Sequence, residues 1–183
     1  MQEFAVVPTQ EAHFPSLYAA FDSIARERRY LAFLQAPPKE AAWAFYRHLV
    51  DADLCHFVAV HAGQVVGWCD ILPLSGEARA HAGTLGMGVI AGYRRQGLGR
   101  RLIQAALAKA HAQGMSRIEL SVRTDNLAAK TLYERVGFAI EGVQRNALQI
   151  DGQNYDAYCM ALLAQTGGRA ITGIGHAAIG RSV

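Results

Sequence analysis

Arg94-Arg95-Gln96-Gly97-Leu98-Gly99-Arg100 is the stretch on which the fold turns. It follows an extended, glycine-rich segment from His81 to Val89 and leads into an apolar stripe at helical spacing: Leu98, Leu102, Ile103, Ala106, Leu107 and Ala110. The pattern predicts a strand, a loop and a helix running from about Gly97 to Gln113, stopped by Gly114. A helix start exposes unpaired N–H groups and the positive end of the macrodipole. Gly97 and Gly99 remove β-carbons that would hold an anion away, while Arg94, Arg95, Arg100 and Arg101 surround the turn with positive charge. The stretch therefore reads as a cradle for a diphosphate. It is not a P-loop, because no Gly-Lys-Ser/Thr follows, and no third glycine completes a dinucleotide fingerprint after Gly99. The competing reading is a tight loop with a solvated basic surface.

Working outward toward the N-terminus, Val65 to Leu72 and Phe57 to His61 alternate as strands around the turn Ala62-Gly63-Gln64. Pro73 to Ala80 reads as a loop. Before the hairpin, Lys39 to Ala52 carries Trp43, Tyr46, Leu49 and Val50 on one helical stripe. Gln10 to about Arg28 carries Phe14, Leu17, Tyr18, Phe21 and Ile24 on another. Phe4 to Val7 is a short first strand. Toward the C-terminus, Ile118 to Val122 is a strand, and Asp125-Asn126 caps a helix over Leu127 to Val136 that Gly137 ends. Phe138 to Gln149 and Tyr155 to Leu163 are strands joined across Asp151-Gly152. The order β-α-α-β-β-β-α-β-α-β-β gives an α/β fold, a mixed sheet covered by helices on both faces. One domain is expected over residues 1–164, with 165–183 a Gly-rich flexible tail or, alternatively, a short helix docked elsewhere.

The formal net charge of +3 on 183 residues is too small to indicate a nucleic-acid partner. Cys55, Cys69 and Cys159 are odd in number and widely spaced, which suits small core residues in a reducing compartment rather than disulfides or a metal site. The start lacks the basic and apolar regions of a signal peptide, and no apolar run approaches the roughly 20 residues of a membrane span. A cytoplasmic protein without a metal is expected.

One strand after the cradle comes Asn126-Leu127-Ala128-Ala129-Lys130-Thr131-Leu132-Tyr133-Glu134-Arg135-Val136-Gly137-Phe138. Together with Arg94 to Gly99 it closely resembles the GNAT family of N-acetyltransferases, whose marks are Arg/Gln-x-x-Gly-x-Gly/Ala and a downstream Asn…Ala…Leu-Tyr…Gly-Phe. The resemblance runs from about Val6 to Leu163 and is strongest after Leu85. It implies a twisted, mostly antiparallel sheet of six to seven strands flanked by about four helices, and acetyl-coenzyme A as cosubstrate. It implies that Met87, Gly88 and Val89 pair with pantetheine and polarise the thioester carbonyl. Arg94, Arg95, Gln96, Gly97, Leu98, Gly99 and Arg100 then match the diphosphate loop, and Asn126 the contact to the cofactor arm. Tyr133 matches the acid that protonates the departing thiolate; on residue pattern alone it also suits a core aromatic.

The base is open at this stage. Related ribosomal-protein acetyltransferases carry a glutamate where this chain has Ser121. Glu119 shares that strand face and suits the role directly or through water, or else pairs structurally with Arg117 or Arg123. Asp70 and His81 are weaker candidates. The segments Arg117–Asn126 and Phe138–Met160 look most like bacterial L-amino acid N-acetyltransferases. Tyr30, Phe33, Trp43 and Tyr46 suit either an apolar acceptor pocket or ordinary core packing. A small primary amine such as an amino acid is the expected acceptor. A protein N-terminus or lysine, and a non-catalytic acetyl-coenzyme A sensor, are the alternatives. Related enzymes are often homodimers.

Overall fold

The computed structural model describes residues 3–164; the proposed 165–183 tail lies outside them. The elements are β1 (Ala5–Pro8), α1 (Phe14–Ala25), α2 (Lys39–Asp51), β2 (Cys55–His61), β3 (Gln64–Pro73), β4 (Ala82–Val89), α3 (Leu98–Ala112), β5 (Arg117–Arg123), α4 (Leu127–Val136), β6 (Ala139–Ile150) and β7 (Gln153–Leu163). Order and type are those the periodicity predicts. The differences are local. Pro15 sits in the first turn of α1 and is preceded by a short 3-10 turn over Glu11–His13, so α1 begins at Phe14 rather than Gln10.

The strands form one sheet in the order β1-β2-β3-β4-β5-β7-β6. All neighbours are antiparallel except β4 and β5. The β2–β3 hairpin turns on Ala62 (φ +47°) and Gly63 (φ +74°), and the β6–β7 hairpin on Asp151 (φ +53°) and Gly152 (φ +77°). Paired left-handed residues of this kind match the twist of the strands they join. Each face of the sheet carries its own core. Leu98, Leu102, Ile103 and Ala106 of α3 and Tyr133 of α4 pack with Cys69, Ile71, Ile118 and Leu120 on one face. Phe14, Leu17 and Ile24 of α1 and Tyr46 and Leu49 of α2 pack with Val58, Val65 and Trp68 on the other. Strand alternation makes this division, since Trp68 and Asp70 point to the α1 side while Cys69 and Ile71 point to the α3 side.

His56 is buried where β1 joins the sheet, with Nδ1 2.5 Å from the Thr9 hydroxyl. Burial pushes its pKa down to about 4. The imidazole is therefore folded neutral, and its contribution is present above the unfolded pKa near 6.5 and lost as pH falls toward 4. Urea unfolding should show wild type losing about 3 kcal/mol more than His56→Gln between pH 7 and pH 4, from the shift of about 2.5 units. Parallel losses in the two proteins would show that His56 is not the acid-labile group.

Candidate active site

β4 and β5 share a parallel ladder over only three residue pairs: Ala82 with Arg117, Gly83 with Ile118, and Thr84 with Glu119. Beyond these, β4 stays with β3 as far as Val89 opposite Gly67, and β5 stays with β7 as far as Arg123 opposite Ala157. The two strands open into a V whose facing backbone groups have no partner in each other. An edge of this kind suits an extended ligand that carries amides. Met87, Gly88 and Val89 stand on its β4 side.

At the open end of β4, the short turn Ala91–Tyr93 leads to α3. Arg95 holds φ +61° and Gly97 φ +80°. Alternation of backbone hand turns successive N–H groups into one concavity, an arrangement that binds anions. An arginine in the left-handed region costs on the order of 1 kcal/mol, a strain that clusters at ligand sites. No side chain caps α3 at Gly97, so its first-turn N–H groups are left for a ligand. Arg95 and Arg100 are exposed beside them. In contrast, α4 is capped, with Asn126 Oδ1 accepting the Ala129 N–H at 3.2 Å. That bond fixes the carboxamide just beyond the end of β5.

Tyr133 is 7% exposed and lies on the α3 side of the sheet, its ring 5.9 Å from Phe138. Burial, with a smaller contribution from Cys69, pushes its phenol well above the usual tyrosine range. It therefore stays protonated at neutral pH, the state a proton donor requires.

The structure sorts the remaining sequence-derived candidates by contact. Arg94 is not a free cation at the cradle. Its guanidinium pairs with Glu27 at 2.5 and 2.9 Å, lies 4.9 Å from the Tyr30 ring centre, and donates from Nε to the Val89 carbonyl at 2.8 Å. It thus ties the end of α1 to the end of β4. Arg101 donates to the Phe4 carbonyl and serves β1 in a similar way. Gln96 donates to the Gly92 carbonyl and closes the loop on itself.

The two cradle glycines also differ. A β-carbon at Gly97 would meet nothing within 4 Å, whereas one at Gly99 would sit 2.9 Å from Leu132 Cδ2 and 3.2 Å from Met87 Cε. Gly99 lets α3 approach α4, and Gly97 shapes the anion turn. On β4 the missing side chains are replaced from β3: a β-carbon at Gly86 would lie 2.6 Å from Asp70 Oδ1, and one at Gly88 would strike the Trp68 ring.

Glu119 is held by Arg79 at 3.1 Å and Arg117 at 3.4 Å, on the face opposite Tyr133. An incoming ammonium would have to displace these arginines. Tyr30 and Phe33 lie in the α1–α2 connection rather than on a helix, and Phe33 is 56% exposed. Tyr46 is core. Sequence reasoning assigned no role to Glu27, and no local signal marks it. Asp70 carried a signal, a lone carboxylate inside the apolar run Val65 to Leu72.

The sequence profile of the Acetyltransferase (GNAT) family matches residues 17–138. The L-amino acid N-acetyltransferase AaaT of Escherichia coli K12 is 30% identical over 135 residues, covering 72% of this chain and 82% of that protein. The ribosomal protein bS18-alanine N-acetyltransferase of the same strain is 39% identical over 70 residues. There the match covers 38% of this chain and 47% of that protein, so the chain spans about half the length of that relative. An acetyltransferase of the GNAT family from Streptococcus pneumoniae superposes with a TM-score of 0.82 at 26% identity, over 88% of this chain and 99% of that one. The chain belongs to the GNAT acetyltransferase family.

The two glycines should separate in calorimetric titration with coenzyme A. Gly97→Val is expected to weaken binding at least tenfold while the fold is kept. Gly99→Val should lower thermal stability, since overpacking costs roughly 1–3 kcal/mol. Arg94→Ala should likewise lower stability, and leave the salt dependence of coenzyme A affinity unchanged, whereas Arg95→Ala should reduce that dependence. Equal loss of binding in Arg94→Ala and Arg95→Ala would overturn the division of labour.

Proposed function

We propose that the chain is an acetyl-coenzyme A-dependent N-acetyltransferase whose acceptor is a small primary amine, most plainly an amino acid. The observation that carries the reading is the V between β4 and β5, with an uncapped, arginine-flanked helix start at its open end and Tyr133 in the core on the α3 side. The residues present fit acetyl-coenzyme A: the α3 turn for the diphosphate, the β4 edge for the amides of its arm, and Asn126 for the same arm. The bound thioester supplies an activated acetyl group. Backbone N–H groups near Met87–Val89 would hold the carbonyl oxygen as it gains charge. Tyr133 would give its proton to the departing sulfur.

A small acceptor is supported by the likeness to AaaT across most of that protein's length. It is also supported by Arg28, which pairs with Asp151 at 2.5 Å and so joins the end of α1 to the β6–β7 turn. Such a link would limit the room for an extended peptide on the α1 side of the V. As an exposed pair it adds little stability, and its significance is geometric.

Thiol release from acetyl-coenzyme A should occur with L-amino acids and not with ribosomal-protein peptides. Preference for a peptide would move the acceptor to protein N-termini, and tight coenzyme binding without turnover would leave a sensor. Tyr133→Phe should lower kcat roughly 10²-fold, at the lower end of general-acid effects, with coenzyme affinity unchanged. Wild-type kcat in that variant would remove Tyr133 from the chemistry.

A further inference from the structure

Asp70 lies on β3 directly opposite Gly86 of β4, two residues past the point where β4 parts from β5. Its side chain crosses the α1-side face of β4 and occupies the space above Gly86, within 2.6 Å of where a β-carbon would stand. Thr84, Gly86 and Ser121 are exposed on the same face, so this side of the V is open to solvent and to an acceptor. Asp70 itself is half-buried at the edge of that opening.

The other carboxylates near the V are occupied. Glu119 is shared by Arg79 and Arg117, Glu141 is held by Arg117, Asp125 by Arg123, and Glu27 by Arg94. Among the described residues, only the backbone N–H of Asp70 itself favours the ionised form of its carboxylate. A carboxylate partly withdrawn from water with no cation beside it is costly, and the cost is relieved when a cation arrives. An acceptor arrives at neutral pH as an ammonium ion.

We propose that Asp70 is the general base of the reaction, receiving the ammonium form of the acceptor on the α1 side of the V and removing its proton. This rests on the acetyl-transfer reading above. One ammonium proton passes to Asp70, and the freed nitrogen attacks the thioester carbonyl carbon from the α1 side. The C–N bond forms and the C–S bond breaks, with its electron pair leaving on sulfur. Sulfur takes a proton from Tyr133 on the α3 side. The second proton that nitrogen loses restores Tyr133 through water, and Asp70 releases its own to solvent. Base and acid thus stand on opposite faces of the sheet, with the V between them.

The groups facing Asp70 are few. Tyr46 of α2 feels the charges of both Asp70 and Tyr18 of α1. His56 of β2 is opposite in register and bound to Thr9. On β4 the neighbours are Thr84 and Gly86, and Cys69 lies on the reverse face. Burial pushes Asp70 up to about 7, His56 down to about 4 and Tyr46 up to about 12. Of these three, Asp70 alone changes charge near neutrality, where a base is most effective.

The test is steady-state thiol release by wild type, Asp70→Asn and Asp70→Glu from pH 5.5 to 9.5, using the L-amino acid that wild type turns over best. Calorimetric affinity for acetyl-coenzyme A is measured alongside. Wild-type kcat/KM should fall about tenfold per pH unit below about 7. Asp70→Asn should lower kcat/KM at pH 7 at least 10²-fold and lose that limb. Its deficit should shrink at pH 9.5, where the amine is already partly deprotonated. Coenzyme affinity should stay within twofold, and Asp70→Glu should recover part of the rate. Wild-type kcat/KM in Asp70→Asn, or a wild-type profile without a limb near 7, would overturn the assignment to Asp70 and leave acetyl transfer standing. Absence of turnover by wild type with any amine would overturn both. If Asp70→Asn melts at low temperature, the wild-type profile and Asp70→Glu decide by the same criteria.

Discussion

Between Thr84 and Glu119 the parallel ladder of β4 and β5 ends, and each strand continues against a different neighbour. Backbone amides left without partners inside a sheet are costly unless something completes them. In this fold the gap is maintained by commitments on both sides, β4 to β3 as far as Val89 and β5 to β7 as far as Arg123. The site follows from that opening. It leaves a free edge on β4, sets the α3 helix start at one end, and lies between two separate cores.

Residues that look alike in sequence have separate duties around the opening. Four arginines cluster at the turn before and within α3, yet Arg94 braces α1 against β4 and Arg101 braces the segment entering β1, leaving Arg95 and Arg100 exposed. The glycines divide in the same way. Gly97 is required by a positive φ, Gly99 by the approach of Leu132, and Gly86 and Gly88 by the side chains of Asp70 and Trp68 lying across them. The glycine-rich β4 is therefore thin because β3 covers it on the α1 side, as much as because a ligand runs along its edge.

In the proposed reaction the two faces of the sheet would also divide the chemistry. Tyr133, enclosed by the α3 core and protonated at neutral pH, is the proposed proton donor on one side. The α1 side carries Trp68, Phe21 and Phe33 in successive ring contacts of 5.3 and 5.6 Å, rising from the sheet to the surface. An acceptor entering there would meet an apolar wall and the carboxylate of Asp70.

Sequence alone determined the element order, both hairpin turns, the helix starts at Gly97 and Asn126 and the α/β class, because these are encoded in period, capping residues and turn dipeptides that act over a few neighbours. The resemblance of two motifs to the GNAT family also linked the loop Arg94–Arg100 to Asn126 and Tyr133, although α3 and β5 separate them along the chain. Sequence alone did not separate Arg94 from Arg95, or Gly97 from Gly99, since their roles depend on Glu27, Leu132 and Met87, which reach them only through the fold. It placed Glu119 and Asp70 on strands but could not say which carboxylate was already paired. That was decided by the tertiary structure, which brings Arg79 and Arg117 to Glu119 and sets Asp70 over Gly86 with no cation beside it among the described residues. Charge pairing depends on distances across strands, and strand order and register fix those distances only once the sheet is assembled.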